Sequence, residues 1–525
     1  MTSQPKTHDI IVLGGAFASS ATALLLKRAD PSLRVVIVER RAAFDRKVGE
    51  SCIELSSWFL TRMLGLDHYL NMEQLPKYGL RFFFSHPDAT TLSECSELGN
   101  KYQTRVPSYH VDRALLDEHV QGLAVAEGAE LLRPARVIDT ELREGGISTV
   151  EVETADCKRQ LLTARWIVDG TGRAAWLARR LGLIETMPEH PTRSVWARYR
   201  NVRDIDGPWM TGRSSGGGAI CSRALSTNHF TGPGWWVWVI PLPGGDTSVG
   251  VVWDDRIFSL PPGDSVSQRF ETFMRSFPAG RELMQDTERL DDDLHALNGL
   301  PYRVKRIMGD GWAMVGDAAG FIDPFYSPGL DWAALTSAKT TSVILDTRKS
   351  EGAVAQRVAR HNRDFTRGFD RWVLALYLDK YYYMGDAELM EVALRMEVSL
   401  YYFGIVTQPY RGGVEALEVP FAPAVSTPFY ALMALVNRRL ARLGRVRMAA
   451  GTWGRRNAGR RVLLGGFKLG ASSLRWVPGA LARLALLEIG SIPDRLAARG
   501  RATRRQQPML EMSRMTSVTE TEDYR

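Results

Sequence analysis

The stretch from Ile10 to Glu39 constrains this chain more than any other. Ile10-Ile11-Val12-Leu13 is a short apolar run, Gly14-Gly15-Ala16-Phe17-Ala18-Ser19 a turn of small residues, and Ser20 to Arg28 an alanine- and leucine-rich segment. A second apolar run, Val35–Val38, ends on Glu39. Strand, turn, helix and strand make a βαβ unit. The turn feeds a helix N-terminus, whose unpaired N–H groups and partial positive charge suit a pyrophosphate. Gly14 occupies the first glycine position of G-x-G-x-x-G, and Ala16 and Ser19 hold the other two. Both are small enough to let a phosphate approach the backbone. Glu39 lies 20 residues beyond Ser19, the spacing at which a carboxylate accepts ribose hydroxyls and repels a 2′-phosphate.

Two later segments repeat the strand-to-turn pattern. Trp166-Ile167-Val168 runs into Asp169-Gly170-Thr171-Gly172-Arg173, and Trp312-Ala313-Met314-Val315 runs into Gly316-Asp317-Ala318-Ala319-Gly320 before a helix from about Leu330. Between them the chain reads as β-rich, with a hairpin of Trp235–Ile240 and Thr247–Trp253 around Pro243-Gly244-Gly245-Asp246. Leu80–Phe84 reads as a further strand and Arg113–Ala126 as a helix. At 525 residues, 45% hydrophobic and 24% charged, the chain has globular composition, which excludes a disordered or fibrous whole. The expected class is α/β.

Together the three turn segments resemble the FAD-binding fold of glutathione-reductase type, in its hydroxylase-like branch. Two longer motifs narrow this. Trp236-Val237-Trp238-Val239-Ile240-Pro241 matches W-x-W-x-I-P, and Phe321-Ile322-Asp323-Pro324-Phe325-Tyr326-Ser327-Pro328-Gly329 matches F-x-x-P-x-x-S-x-G. The pair resembles the hallmark of flavin-dependent halogenases. Val48-Gly49-Glu50-Ser51 and Pro76-Lys77-Tyr78-Gly79 are similar to that family's V-G-E and lysine segments. The resemblance spans about residues 8–345. It implies an FAD site built on Gly14, Gly15, Ala16, Ala18, Ser19, Glu39, Arg40, Glu50, Ser51, Arg113, Asp169, Gly170, Gly316, Asp317 and Gly320. It also implies that reduced flavin, O₂ and chloride or bromide yield hypohalous acid, which Lys77 delivers to an electron-rich ring. Lys77, Ser327, Tyr326, Trp236 and Trp238 are the implied catalytic set, with Trp236 and Trp238 as a wall that keeps substrate from the flavin. No second nucleotide motif is visible, so FADH₂ is expected from a separate flavin reductase.

Two departures bear on substrate and halide. Tryptophan halogenases carry a glutamate before the motif's serine, where this chain has Tyr326. That points to a phenolic or pyrrolic substrate, free or bound to a carrier protein, as in secondary metabolism. The family's halide site uses backbone N–H groups after that serine, and Pro328 has none, which leaves Gly329. Pro328 keeps a flavin hydroxylase or reductase on the same fold as the rival reading.

Residues 1–345 are expected to form the flavin core, with a substrate layer over about 78–105 and 190–300. Residues 346–437 are expected to form a helical, aromatic-rich region on the substrate side. From 438 to 505, sixteen arginines and Lys468 face only Glu488 and Asp494 in sequence, so the remainder of this +8 chain is net negative. Basic residues among apolar ones suggest an amphipathic region that meets an anionic membrane or an acidic carrier. A flavoprotein that only docks through that region is a third reading. No recognition motif accompanies the charge, so nucleic acid is not expected. Residues 506–525, rich in Ser, Thr and Glu, read as disordered. No signal peptide or apolar span is apparent, and Cys52, Cys95, Cys157 and Cys221 are scattered. The expected place is a reducing cytoplasm, or peripherally at the inner membrane face.

Overall fold

A computed structural model describes residues 6–210, 221–349 and 354–501. The expected tail at 506–525 lies outside the described residues. Two sheets organise the chain. The first runs in the order Met308–Gly309, Trp312–Met314, Trp166–Asp169, Ile10–Leu13, Val35–Val38, Glu130–Leu132. All its neighbours are parallel except the outermost pair, Met308–Gly309 on Trp312–Met314. The four strands between Trp312 and Val38 are fully buried, which explains their unbroken apolar runs. Helix α1 (Phe17–Ala29) crosses from the first strand to the second. It packs against α2 (Arg113–Ala126) and α3 (Gly329–Lys349).

The second sheet has eight strands, in the order Glu288–Asn298, Thr192–Arg200, Thr247–Asp254, Trp235–Pro241, Thr227–Gly232, Leu80–Phe84, Ser96–Asn100, Arg461–Leu464. Period-two alternation splits its residues between two faces. Trp236, Trp238 and Ile240 join the main core, while Trp235, Val237 and Val239 join a separate one. That second core is closed by the helices Val266–Arg275 and Pro278–Leu283, through Phe270, Phe273 and Phe277.

The C-terminal half is helical, with α4 (Val354–Trp372), α5 (Ala387–Tyr401), α6 (Thr427–Ala450) and α7 (Val477–Gly490). Here the structure corrects the expected division. The boundary at 437/438 falls inside α6, and Arg461–Leu464 pairs in parallel with Ser96–Asn100 as the edge of the large sheet. Many arginines of 438–505 are also spent on the body's acids. Arg447 is buried on Asp386 (2.8 Å) and Glu388 (3.0 Å). Arg460 and Arg483 both reach buried Glu391 at 2.9 Å, and Arg445 reaches Asp379 at 2.7 Å. The cause is complementarity: the net negative body and the basic segment neutralise each other on folding. No helix of the described residues is long and apolar enough to cross a membrane.

Candidate active site

A cleft of about 1040 Å³ runs over the C-terminal ends of the parallel strands, where open α/β sheets bind their ligands. Its floor begins at the first turn. Gly14 has φ +84°, and a Cβ there would press on the Gly170 carbonyl at 3.0 Å. A Cβ on Gly15 would strike Gln121 Nε2 at 2.2 Å and Glu39 Cβ at 2.8 Å. Both positions therefore demand glycine. Helix α1 starts at Phe17 with no side-chain cap and no acid in its first turn, so its leading N–H groups are left for an anionic ligand. Glu39 lines the cleft, and its carboxylate accepts from the Gly15 N–H (2.7 Å) and the Arg41 N–H (2.8 Å). Asp317 lines it as well, its carboxyl raised above the usual range by burial. These features fit the pyrophosphate and ribose of FAD.

Ala16, Ala18, Arg40, Glu50, Ser51, Arg113, Gly170, Gly316 and Gly320 also line the cleft. Glu50 is buried on Arg198 at 2.8 Å, and burial raises its carboxyl to about 7 against that attraction. Three expected residues sit behind the cleft instead. Gly15 is one of them and shapes the turn from below. Ser19 occupies the place of a third glycine by packing on Gly170, where a Cβ would meet its Oγ at 2.1 Å. Asp169 is consumed by its own loop. It accepts from the Thr171 N–H (2.9 Å), the Thr171 hydroxyl (2.7 Å) and the Leu177 N–H (2.7 Å), which leaves the ligand-facing role there to Gly170.

The cleft ends against Trp236, Trp238, Ser327, Pro328 and Gly329. The two indoles lie 5.7 Å apart between centroids. Trp238 Nε1 donates to Ser248 Oγ (3.0 Å) and Trp236 Nε1 to Tyr381 Oη (2.9 Å). Tyr381 in turn donates to Asp323 (2.8 Å), which also holds His190 at 3.0 Å. Tyr326 and Ser327 both have positive φ, 70° and 60°, a conformation costly for side-chain-bearing residues. The turn is pinned by the Ser327 N–H on the Pro324 carbonyl (2.9 Å) and the Tyr377 hydroxyl on the Phe325 carbonyl (2.8 Å). It opens α3 at Gly329, so that helix N-terminus borders the cleft.

A second cavity lies beyond this partition. Glu54, Leu80, Tyr102, Tyr326, Pro328, Trp372, Glu397, Tyr401, Tyr402 and Phe421 are among its walls. Tyr326 thus faces this cavity and Ser327 the first. Lys77 is among the lining residues of neither cavity and is only 2% exposed. Its Nζ donates to Ser51 Oγ (2.8 Å) on the cleft side and to the Cys52 carbonyl (3.1 Å). The chain then continues through Ile53 and Glu54 into the second cavity. Burial lowers Lys77 from 10.5 to about 8, opposed by Glu54, Cys52 and Asp331. Nearby His110 and His229 are held well below the usual imidazole range by burial, with Lys77 adding to it.

The motifs did not disclose one polar cluster. Glu397 of α5 accepts from the Tyr326 hydroxyl (2.6 Å) and from Lys380 Nζ (2.6 Å). Burial pushes this carboxyl up and the Lys380 ammonium down. The available signal was two glutamates, Glu391 and Glu397, with Arg395 and Ser399 in the mostly apolar run Leu389–Leu400.

A model of the tryptophan halogenase family matches residues 89–381, more than half of the chain. The chain belongs to the flavin-dependent halogenases. The flavin-dependent halogenase chlA of Dictyostelium discoideum is 28% identical over 488 residues, 83% of this chain and 76% of that protein. The 1H-pyrrole-2-carbonyl-peptidyl-carrier protein chlorinase of Pseudomonas fluorescens is 24% identical over 354 residues, 64% of this chain and 75% of that one. In fold, the halogenase PltM in complex with phloroglucinol and FAD superposes with a TM-score of 0.69 at 19% identity, over 91% of this chain and 96% of that one. This halogenase is an FAD enzyme.

Proposed function

We propose that the protein halogenates an electron-rich aromatic ring, phenolic or pyrrolic, using reduced flavin, O₂ and chloride or bromide. The observation that carries this reading is Lys77, a buried amine that donates to cleft-lining Ser51 and to the carbonyl of Cys52, just ahead of Glu54 in the wall of a separate aromatic-lined cavity. FAD, when bound and reduced by a partner reductase, supplies the activation of O₂ that oxidises halide to hypohalous acid. The protein's part is to separate and position. Trp236 and Trp238 wall the cleft, so an aromatic substrate stays in the second cavity. Gly329 offers the remaining backbone donor near the turn, at the N-terminus of α3.

The Lys77 ammonium donates to the oxygen of hypohalous acid and polarises the O–X bond. A ring carbon forms a C–X bond with the halogen as O–X breaks, and the oxygen leaves as hydroxide. The hydroxide takes up one proton to become water, and the ring loses its own proton to a base. Glu397 lines that cavity, as does Glu54, and Tyr326 and Lys380 fix its two oxygens, so it is the carboxylate held beside Tyr326. It fills the role left open by tyrosine at the position preceding Ser327. The substrate is a free small molecule or one tethered to a carrier, a choice for which the pyrrole chlorinase gives a precedent. The experiment is product mass from purified protein with FAD, a flavin reductase, NADH, bromide and a panel of phenols and pyrroles. A brominated product is expected. An oxygenated product without halogen at any halide level would transfer the assignment to the hydroxylase reading.

A further inference from the structure

Pairing of the basic segment with the body exposes a feature that the halogenase chemistry does not use. Helix α7 packs on α5, and the helical residues 492–501 follow it, with Asp494 held by Arg455. Arg483 holds Glu391 there, and Ser473 holds the Ser399 carbonyl. The outward face of this segment is apolar. Leu486 (69% exposed), Ile489 (64%), Ile492 (53%) and Leu496 (64%) recur every three to four residues, with exposed Ala482 and Ala485 ahead of them and exposed Pro493 among them. Leu486 and Ile489 on α7, and Ile492 and Leu496 on the helical segment beyond the turn at Ser491, together present an apolar row to solvent.

We propose that this stripe seats the protein on an anionic lipid surface, with the helix lying in the plane of the interface. Charge favours that occupant. The segment's two acids are withdrawn from the surface: Glu488 onto Arg439 (3.3 Å) and Arg495, Asp494 onto Arg455 (3.0 Å). Arg439 ties α6 to the stripe helix, and its neighbours Arg438 and Arg442 are exposed, with no acidic partner among the described residues. An apolar stripe bordered by arginines and free of exposed carboxylates is complementary to acyl chains beneath phosphate headgroups. A tethering carrier protein fits less well. The α5 residues that line the substrate cavity are Leu394, Glu397, Val398 and Tyr401, whereas the one held by Arg483 of the stripe segment is Glu391, which does not line it. None of the stripe's residues Leu486, Ile489, Ile492 and Leu496 lines that cavity. A second copy would need about 800 Å² on each partner for a standard interface, and four large side chains in a single row supply less.

The test is co-sedimentation of the full-length FAD-loaded protein with vesicles of phosphatidylcholine alone or mixed with phosphatidylserine. Binding is expected only to the anionic vesicles and is expected to weaken at high salt, where the screening length falls to about 3 Å at 1 M. Leu486→Ser with Ile489→Ser should cut the bound fraction about tenfold, as should Arg438→Glu with Arg442→Glu, with flavin content and melting temperature unchanged. Four outcomes overturn the proposal. They are equal binding to both vesicle types, self-association in the absence of lipid that Leu486→Ser abolishes, capture of an acidic carrier protein with no vesicle binding, and vesicle binding that appears only after removal of residues 502–525.

Discussion

Replacing Lys77 with Met separates the cost of burying this amine from its chemistry. Met fills much of the same volume and has no charge. Burial lowers Lys77 from 10.5 to about 8, so the fold disfavours its ammonium by about 3 kcal/mol, at 1.36 kcal/mol per unit. Against this, the substitution leaves the Cys52 carbonyl without its 3.1 Å donor, a loss of about 1–2 kcal/mol. At pH 7 the variant should therefore match the parent or exceed it by about 1–2 kcal/mol. The pH sign follows from linkage. The folded value lies below the unfolded one, so the ammonium penalty is complete below about 8, fades as pH rises to 10.5 and is absent above. Parent stability should gain on the variant across that window and not below it. Asp331, facing the same site, is pushed to about 7 by burial and titrates beneath the window. Urea unfolding of both FAD-loaded proteins at pH 7, 9 and 10.5 measures the difference, and product formation is followed in parallel. Halogenated product should vanish while NADH is still consumed and hypohalous acid is trapped by an added scavenger. Regiospecific product from Lys77→Met, or a stability difference that is flat with pH, would refute the reasoning.

Other expectations rest on neighbouring geometry. Parent halogenation should decline as pH rises through about 8, because the ammonium is the donor form; a rate that rises through that point would instead make the neutral amine the halogen carrier. Glu397→Gln should lower kcat about 10²–10³-fold for unactivated phenols and less for strongly activated ones, with FAD binding retained; equal rates on both would remove Glu397 from the proton path. Glu39→Ala and Asp317→Ala should each weaken FAD binding by about 1.5–3 kcal/mol in a fluorescence titration, and parent-like affinity in both would remove these two carboxylates from the flavin site. Pro328→Thr should restore an N–H beside Gly329 and lower the chloride KM about fivefold, for a bond of about 1 kcal/mol; an unchanged KM would place the halide elsewhere.

The sequence by itself determined the flavin half. A βαβ unit is local: its strands, Gly14-Gly15 turn and helix are written within 30 residues, and the two later strand-to-turn segments repeat the same local grammar. Trp236 and Trp238 share a face because strand period is two, whatever surrounds them. The residues that depend on distant partners were less legible. Asp169 and Asp317 look alike in sequence, yet only Asp317 reaches the cleft, because Thr171 and Leu177 capture the other carboxylate. The arginines after 437 look like a free basic arm as a string. Only tertiary pairing with Asp386, Glu388 and Glu391 makes them part of the body, and only the packing of α7 on α5 turns Leu486 and Ile489 outward. Tyr326 and Glu397 meet across 71 residues. Periodicity and motif spacing report what a segment does to itself. Charge compensation and proton paths are set by which segments the fold brings within hydrogen-bond reach, and that was decided in three dimensions.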